Sequence, residues 1–139
     1  MRKVKYFDYE VSVEEYIKIQ IVKNDGNRSL VYRQDLINEC ESRNIQTKVT
    51  STKEQLVELL VENGVSYKEL AEKYKIGVTS KVYQETFGIT HAQVKKLEKK
   101  NVIDVVGQQA FKAYGTNLKA PLYDAYQFAS IPEEVVKNI

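Results

Sequence analysis

Apolar side chains recur at three- and four-residue intervals through most of this chain, the spacing that lines one face of a helix. Tyr32, Leu36 and Cys40 form such a row with Ile37 beside it, and predict a helix over about 32–43. Leu56, Val57, Leu59 and Leu60 predict a second helix after a loop at 44–51, with Ser51 or Thr52 as its N-cap. Asn63-Gly64 stops it, since glycine can turn left-handed there without steric cost. Leu70, Ala71 and Tyr74 predict a short helix that opens on a Ser66–Glu69 capping box and ends at Ile76-Gly77. Two more short helices meet at Gly88, the second opening on a Thr90–Gln93 capping box with Val94 and Leu97 inward.

Extended patterns are confined to the ends. Val4, Tyr6 and Tyr9 alternate with charges and predict a short strand. Val13 to Val22 fits a helix or a β-branched strand, and the Ser12–Glu15 capping box favours the helix. Asn24-Asp25-Gly26-Asn27 reads as a turn. After an Asn101 cap, Val102–Val106 reads as a strand, Gly107-Gln108-Gln109 as a turn, and Ala110–Tyr114 as the returning strand. Gly115–Ala120 is then a loop, and Pro121 starts a closing helix over Leu122–Phe128. Tyr83, Phe87, Tyr114, Tyr123 and Phe128 are expected in the core.

The predicted fold is mainly α with a small β-hairpin wing: a helix-extended-loop-helix followed by a winged helix-turn-helix. The expected divisions are an N-terminal strand or helix segment at 1–29, the helix-extended-loop-helix at 30–64, the winged unit at 65–131 and a tail at 132–139.

Net charge over the 139 residues is only +2. Its distribution is more telling. Residues 1–64 sum to −1, residues 65–119 to +5 and residues 120–139 to −2, so positive charge gathers where the two short helices meet. One Cys and one His give no zinc-ligand set and no Cys-His catalytic pair, and no phosphate-cradling glycine motif is present. A non-enzymatic protein without metal or cofactor is expected. Cys40 reads as a buried thiol within its apolar row. There is no membrane span and no signal-peptide core, which points to a cytoplasmic protein.

Asp35-Leu36, Arg43-Asn44-Ile45 and Thr52-Lys53-Glu54-Gln55-Leu56-Val57-Glu58-Leu59-Leu60 resemble the SAP motif, a helix-extended-loop-helix module that mostly binds duplex DNA. Asn44 stands where glycine is usual there, and the loop before Lys53 is longer. The stretch from Val82-Tyr83 through Phe87-Gly88-Ile89-Thr90, Val94 and Leu97, Asn101-Val102-Ile103 and Leu122-Tyr123 is similar to the MerR and excisionase-like winged helices. The DNA-binding domain of the damage-recognition factor of nucleotide excision repair has a related order. Lys95 and Lys96 stand where the MerR group usually has Arg and Tyr. The whole looks like a small phage or prophage DNA-binding protein of low-GC Gram-positive bacteria, acting in the bacterial cytoplasm.

The candidate DNA-contacting residues follow from charge and position. Lys81, Lys95, Lys96, Lys99, Lys100, Lys112 and Lys119 would bind phosphate as point charges. Thr90 would offer its backbone N–H to phosphate at a helix start. His91 and Gln93 would read base edges, Gln93 by a bidentate pair with adenine. The expected partner is duplex DNA, with a homodimer as a further possibility. The alternative is a protein-binding adaptor, a phage structural or host-takeover protein that uses the winged helix for a protein partner.

Overall fold

The computed structural model describes residues 1–23 and 31–139, and leaves out the Lys112 side chain. The turn expected at 24–27 lies outside the described residues. The chain divides into two compact units, one of Met1–Val13 with Lys75–Ile139 and the other of Glu14–Tyr74. Eight helices and two small antiparallel sheets are present among the described residues. The chain is thus mixed α and β, with helix dominant.

The 14–74 unit is helical. Val13–Val22 (α1) is a helix, as its capping pattern suggests. Arg33–Ser42 (α2) and Lys53–Glu62 (α3) follow, joined by the loop 43–52, and Tyr67–Tyr74 (α4) closes the unit. Thr52 caps α3 in both directions, accepting from Gln55 N at 3.2 Å while its own N–H donates to Gln55 Oε1 at 2.9 Å. Each bond satisfies a donor that the first helical turn would otherwise leave orphaned. Leu36, Cys40, Leu56, Val57, Leu60 and Leu70 are fully or almost fully buried. Burial, with Glu39 and Glu41 adding to it, pushes the Cys40 thiol up from its usual range, so this cysteine is inert packing.

Most of the described cations in this unit are engaged by the fold. Glu39 is 7% exposed and accepts from Lys73 and, at 2.8 Å, from Arg43 Nε. Those two partners, Lys73 first, hold its carboxyl below the usual carboxylate range. Lys18 pairs with Glu54 and Glu58, and Arg33 donates to the carbonyls of Ser51 and Val49. Lys53 is 8% exposed and aims Nζ at the carbonyls of Ile21 and Lys23, at the C-terminal end of α1, where a cation offsets the helix dipole.

The second unit begins with a hairpin, Val4–Tyr6 (β1) and Tyr9–Val11 (β2), with Phe7 left-handed at φ 54° in its turn. Only one strand was expected here. From Lys75 onward the order is Gly77–Val78 (β3), Ser80–Phe87 (α5), His91–Lys99 (α6), Val105–Ala113 (β4), Thr116–Asp124 (β5), Ala125–Ser130 (α7) and Glu133–Lys137 (α8). The sheet order is β3-β5-β4, all antiparallel. Strand β3 occupies part of what reads in the sequence as a helix end.

The hairpin differs from its expected register, and glycine chemistry explains why. The turn is Tyr114-Gly115, both at positive φ (55° and 75°), between the paired Ala113 and Thr116. That is the type I′ geometry that matches strand twist in two-residue hairpins. Gly107 lies inside β4 next to a bulge, and a Cβ there would stand 2.7 Å from the Lys75 carbonyl oxygen. Its glycine serves a close backbone approach and not a turn. Pro121 lies within β5 opposite Gln108, not at a helix start. The closing helix begins at Ala125, with Asp124 Oδ1 accepting from the N–H groups of Tyr126 and Gln127. Tyr114, expected in the core, is fully exposed at the turn.

An aromatic cluster forms the core of this unit. Tyr83 meets Phe128 at 5.0 Å and Phe87 and Tyr123 at 5.8 Å between ring centroids. Arg2 stacks its guanidinium 4.6 Å from the Phe87 centroid and donates to the Phe128 carbonyl, so the N-terminal strand is tied to the C-terminal half.

Candidate nucleic-acid interface

Helices α5 and α6 are joined through Gly88, which is left-handed at φ 63°. Its N–H and that of Ile89 both return to the Gln84 carbonyl, ending α5 abruptly. Thr90 then caps α6: Gln93 N donates to Thr90 Oγ1 at 3.2 Å, and Thr90 N donates to Gln93 Oε1 at 2.8 Å. This cap changes two of the expected roles. The Thr90 N–H is committed to Gln93, so the donors left at this helix start are those of His91 and Ala92. The Gln93 side chain is exposed but its oxygen is occupied, so a bidentate pair with adenine would require the cap to open.

Val94 and Leu97 are fully buried and hold α6 against the unit. The opposite face carries Ala92, Lys96 and Lys99, four and three residues apart, with Lys100 following; all are exposed. Among the described residues Lys96, Lys99 and Lys100 make no ion pair. Lys95 differs: it is half-buried and its Nζ lies 3.3 Å from Glu98 Oε1. Glu98 also accepts the Tyr123 hydroxyl at 2.7 Å, and these partners, Tyr123 first, hold its carboxyl below the usual range. Burial, together with that hydrogen bond to Glu98, pushes the Tyr123 hydroxyl up.

His91 is held from α5. Gln84 Nε2 donates to Ser80 Oγ at 3.0 Å, and Ser80 Oγ lies 2.9 Å from His91 Nδ1. This contact occupies Nδ1 and leaves Nε2 as the ring nitrogen free to meet a phosphate or a base edge. Lys81 is exposed on α5 and lies 3.8 Å from Glu85, which Lys5 also approaches at 4.0 Å. Surface pairs of this kind are weak and leave Lys81 available to compete for a phosphate.

Lys119 is exposed on β5, and Lys112 stands on β4 opposite Asn117. The register places positions 108, 110 and 112 across from 121, 119 and 117, so these share one face of the hairpin. The other face carries the cross-strand pair Phe111 and Leu118, 44% and 40% exposed. The structure therefore gathers His91, Gln93, Lys95, Lys96, Lys99 and Lys100 on one helix, with Lys81 on α5 and Lys112 and Lys119 on the hairpin. Reading the sequence missed Ala92 on the outward face of α6 and the apolar face of the hairpin. The alternation of Gln109, Phe111 and Ala113 signals the latter once the turn is placed at Tyr114-Gly115.

Among the described residues no group of three or more His, Cys, Asp or Glu could hold a metal ion, and no helix is long and apolar enough to cross a membrane. The chain matches no protein-family model, and no curated protein or solved structure is similar to it at a significant level.

Proposed function

We propose that this protein binds duplex DNA without catalysing a reaction, with α6 as the groove-facing helix and the β4–β5 hairpin as a wing. The observation that carries the proposal is the outward face of α6, where Lys96, Lys99 and Lys100 are exposed and unpaired among the described residues. The strand–helix–helix–hairpin order from β3 to β5 and the three-stranded sheet support a winged helix-turn-helix reading. In this reading the loop between α2 and α3 makes a SAP-like hairpin that serves structure. Its unit, residues 14–74, carries net −2 while the other carries +4, and its described cations are largely engaged internally. The resemblance to small phage and prophage proteins supplies the setting, a bacterial cytoplasm.

Lysine contacts predict backbone binding more than base reading, since an ammonium is a point charge without planar geometry. Fluorescence anisotropy of the full chain on labelled random duplex, titrated with salt, tests the proposal. Each neutralised phosphate steepens the log–log salt dependence by about 0.9, so α6 alone should give a slope near −3. Absence of binding at low salt would reject it.

A second reading, a protein-binding adaptor, is favoured by Phe111, Leu118 and Tyr114, which are exposed on the hairpin. A complex with a protein that survives about 0.5 M salt, where phosphate binding is largely lost, would favour this reading.

A further inference from the structure

The two edges of the β3-β5-β4 sheet are guarded very differently. On one side β3 covers only Tyr123 and Asp124, and the uncovered stretch of β5 contains Pro121. A two-residue edge strand and a proline are both devices that prevent strand pairing. On the other side β4 runs nine residues, and no strand pairs with its outer edge among the described residues. From Gln108 to Ala113 it has no proline and one charged residue, Lys112. Its bulge lies back at Val105–Gly107.

The hairpin geometry says which backbone groups face outward. The two-residue turn makes Ala113 and Thr116 a hydrogen-bonded pair, and such pairs alternate along an antiparallel ladder. Phe111 and Gln109 therefore bond inward to β5, while the backbone N–H and C=O groups of Gln108, Ala110 and Lys112 point to the open edge. The same alternation turns the nitrogen of Pro121, which has no hydrogen, away from β4, consistent with its place in the strand.

We infer that this edge pairs with the β4 edge of a second copy of the chain, antiparallel and two-fold, with Phe111 at the axis. This register makes Ala110 of one copy and Lys112 of the other a hydrogen-bonded pair, twice. It sets Phe111 against Phe111 and extends one apolar row, Leu118–Phe111–Phe111–Leu118, across the joined sheets. The exposed pair Phe111 and Leu118 supports a second copy as the occupant, because this register joins the two pairs into one apolar strip. Position 112, the one charged position on the edge, stands directly opposite alanine and diagonal to its own copy. The pairing uses edges, so the sheet face that holds positions 112 and 119 stays open in both copies.

The test is sedimentation equilibrium of the full chain, free of DNA, over about 5 to 100 µM, where mass action should shift monomer to dimer. Ala110→Pro removes an edge-facing N–H without touching the ladder to β5, and Phe111→Lys places like charges at the axis. Both should stay monomeric while keeping the wild-type circular dichroism. If Ala110→Pro misfolds, Phe111→Lys alone carries the comparison. In Phe111→Cys, the two thiols should sit on Cα atoms about 4.5 Å apart and oxidise to a covalent dimer. Leu118→Cys should not, because three strand spacings separate its copies by about 14 Å. Cys40 is buried and does not interfere. A wild-type chain that stays monomeric at the top concentration overturns the inference. So does a dimer that survives in both edge variants, or equal cross-linking of both cysteine variants. Because no DNA is present, the outcome is independent of the DNA-binding proposal.

Discussion

The Tyr123 hydroxyl donates to Glu98 Oε1 across 2.7 Å, joining the central strand of the sheet to the basic helix α6. Tyr123 is fully buried, whereas the Glu98 side chain is 31% exposed. The bond therefore serves the buried partner most. Glu98→Ala would strand a buried hydroxyl and is expected to cost about 1–3 kcal/mol, while Tyr123→Phe removes that hydroxyl and should cost about 1 kcal/mol. Urea denaturation at neutral pH measures both. Equal losses would show that the hydroxyl has another partner. Glu98→Gln also removes the negative charge beside Lys95, so DNA binding should tighten if α6 is the interface.

Lys96, Lys99 and Lys100 differ from Lys95 in making no ion pair among the described residues. Replacing these three with alanine should weaken DNA binding on every sequence alike and flatten the salt slope by about 0.9 per lysine. Stability should move by less than about 0.5 kcal/mol, as is usual for exposed substitutions. Lys95→Ala alone should affect binding less than Lys99→Ala. Unchanged anisotropy in the triple variant would remove α6 from the interface.

The helices were legible because their signals are local. The Thr52–Gln55 and Thr90–Gln93 boxes, the Gly64 stop and the Gly88 bend each act within four residues, and all four appear in the structure. The register of the hairpin was not, because glycine has two uses that look alike in a sequence. Gly107 is needed by the Lys75 backbone, more than thirty positions away, and nothing near it in the chain shows that. Tyr114 adopts a positive φ that tyrosine seldom takes, so Tyr-Gly does not read as a turn in the way Asn-Gly does. Among the candidate site residues, the lysine positions on α6 followed from helical periodicity alone. The engagement of Lys95, Thr90 and Gln93 depends on side-chain geometry that spacing does not encode.

That distinction between the two glycines is measurable. Gly107→Ala forces a Cβ to 2.7 Å from the Lys75 carbonyl oxygen and is expected to cost about 1–3 kcal/mol through backbone displacement. Gly115→Ala has open space around it and pays only for its φ of 75°, about 1 kcal/mol. Thermal melts of the two variants should rank Gly107→Ala as the less stable. The reverse order would return the turn to Gly107.

Glu39 gives the 14–74 unit an acid-sensitive tie. Its carboxylate, 7% exposed, joins Lys73 on α4 to Arg43 just past α2, and these partners depress its pKa. A depressed carboxylate stabilises the fold above the unfolded value of about 4.3, and that contribution disappears as pH falls through the lower folded value. Glu39→Gln keeps the shape but lacks the charge, so it should lower the urea midpoint at pH 7. The gap between wild type and variant should then close progressively below about pH 4, because the wild-type carboxyl becomes protonated as well. A gap that persists undiminished at about pH 2, below the range in which carboxylates ordinarily titrate, would mean that the variant acts through packing and that the ion pairs contribute little.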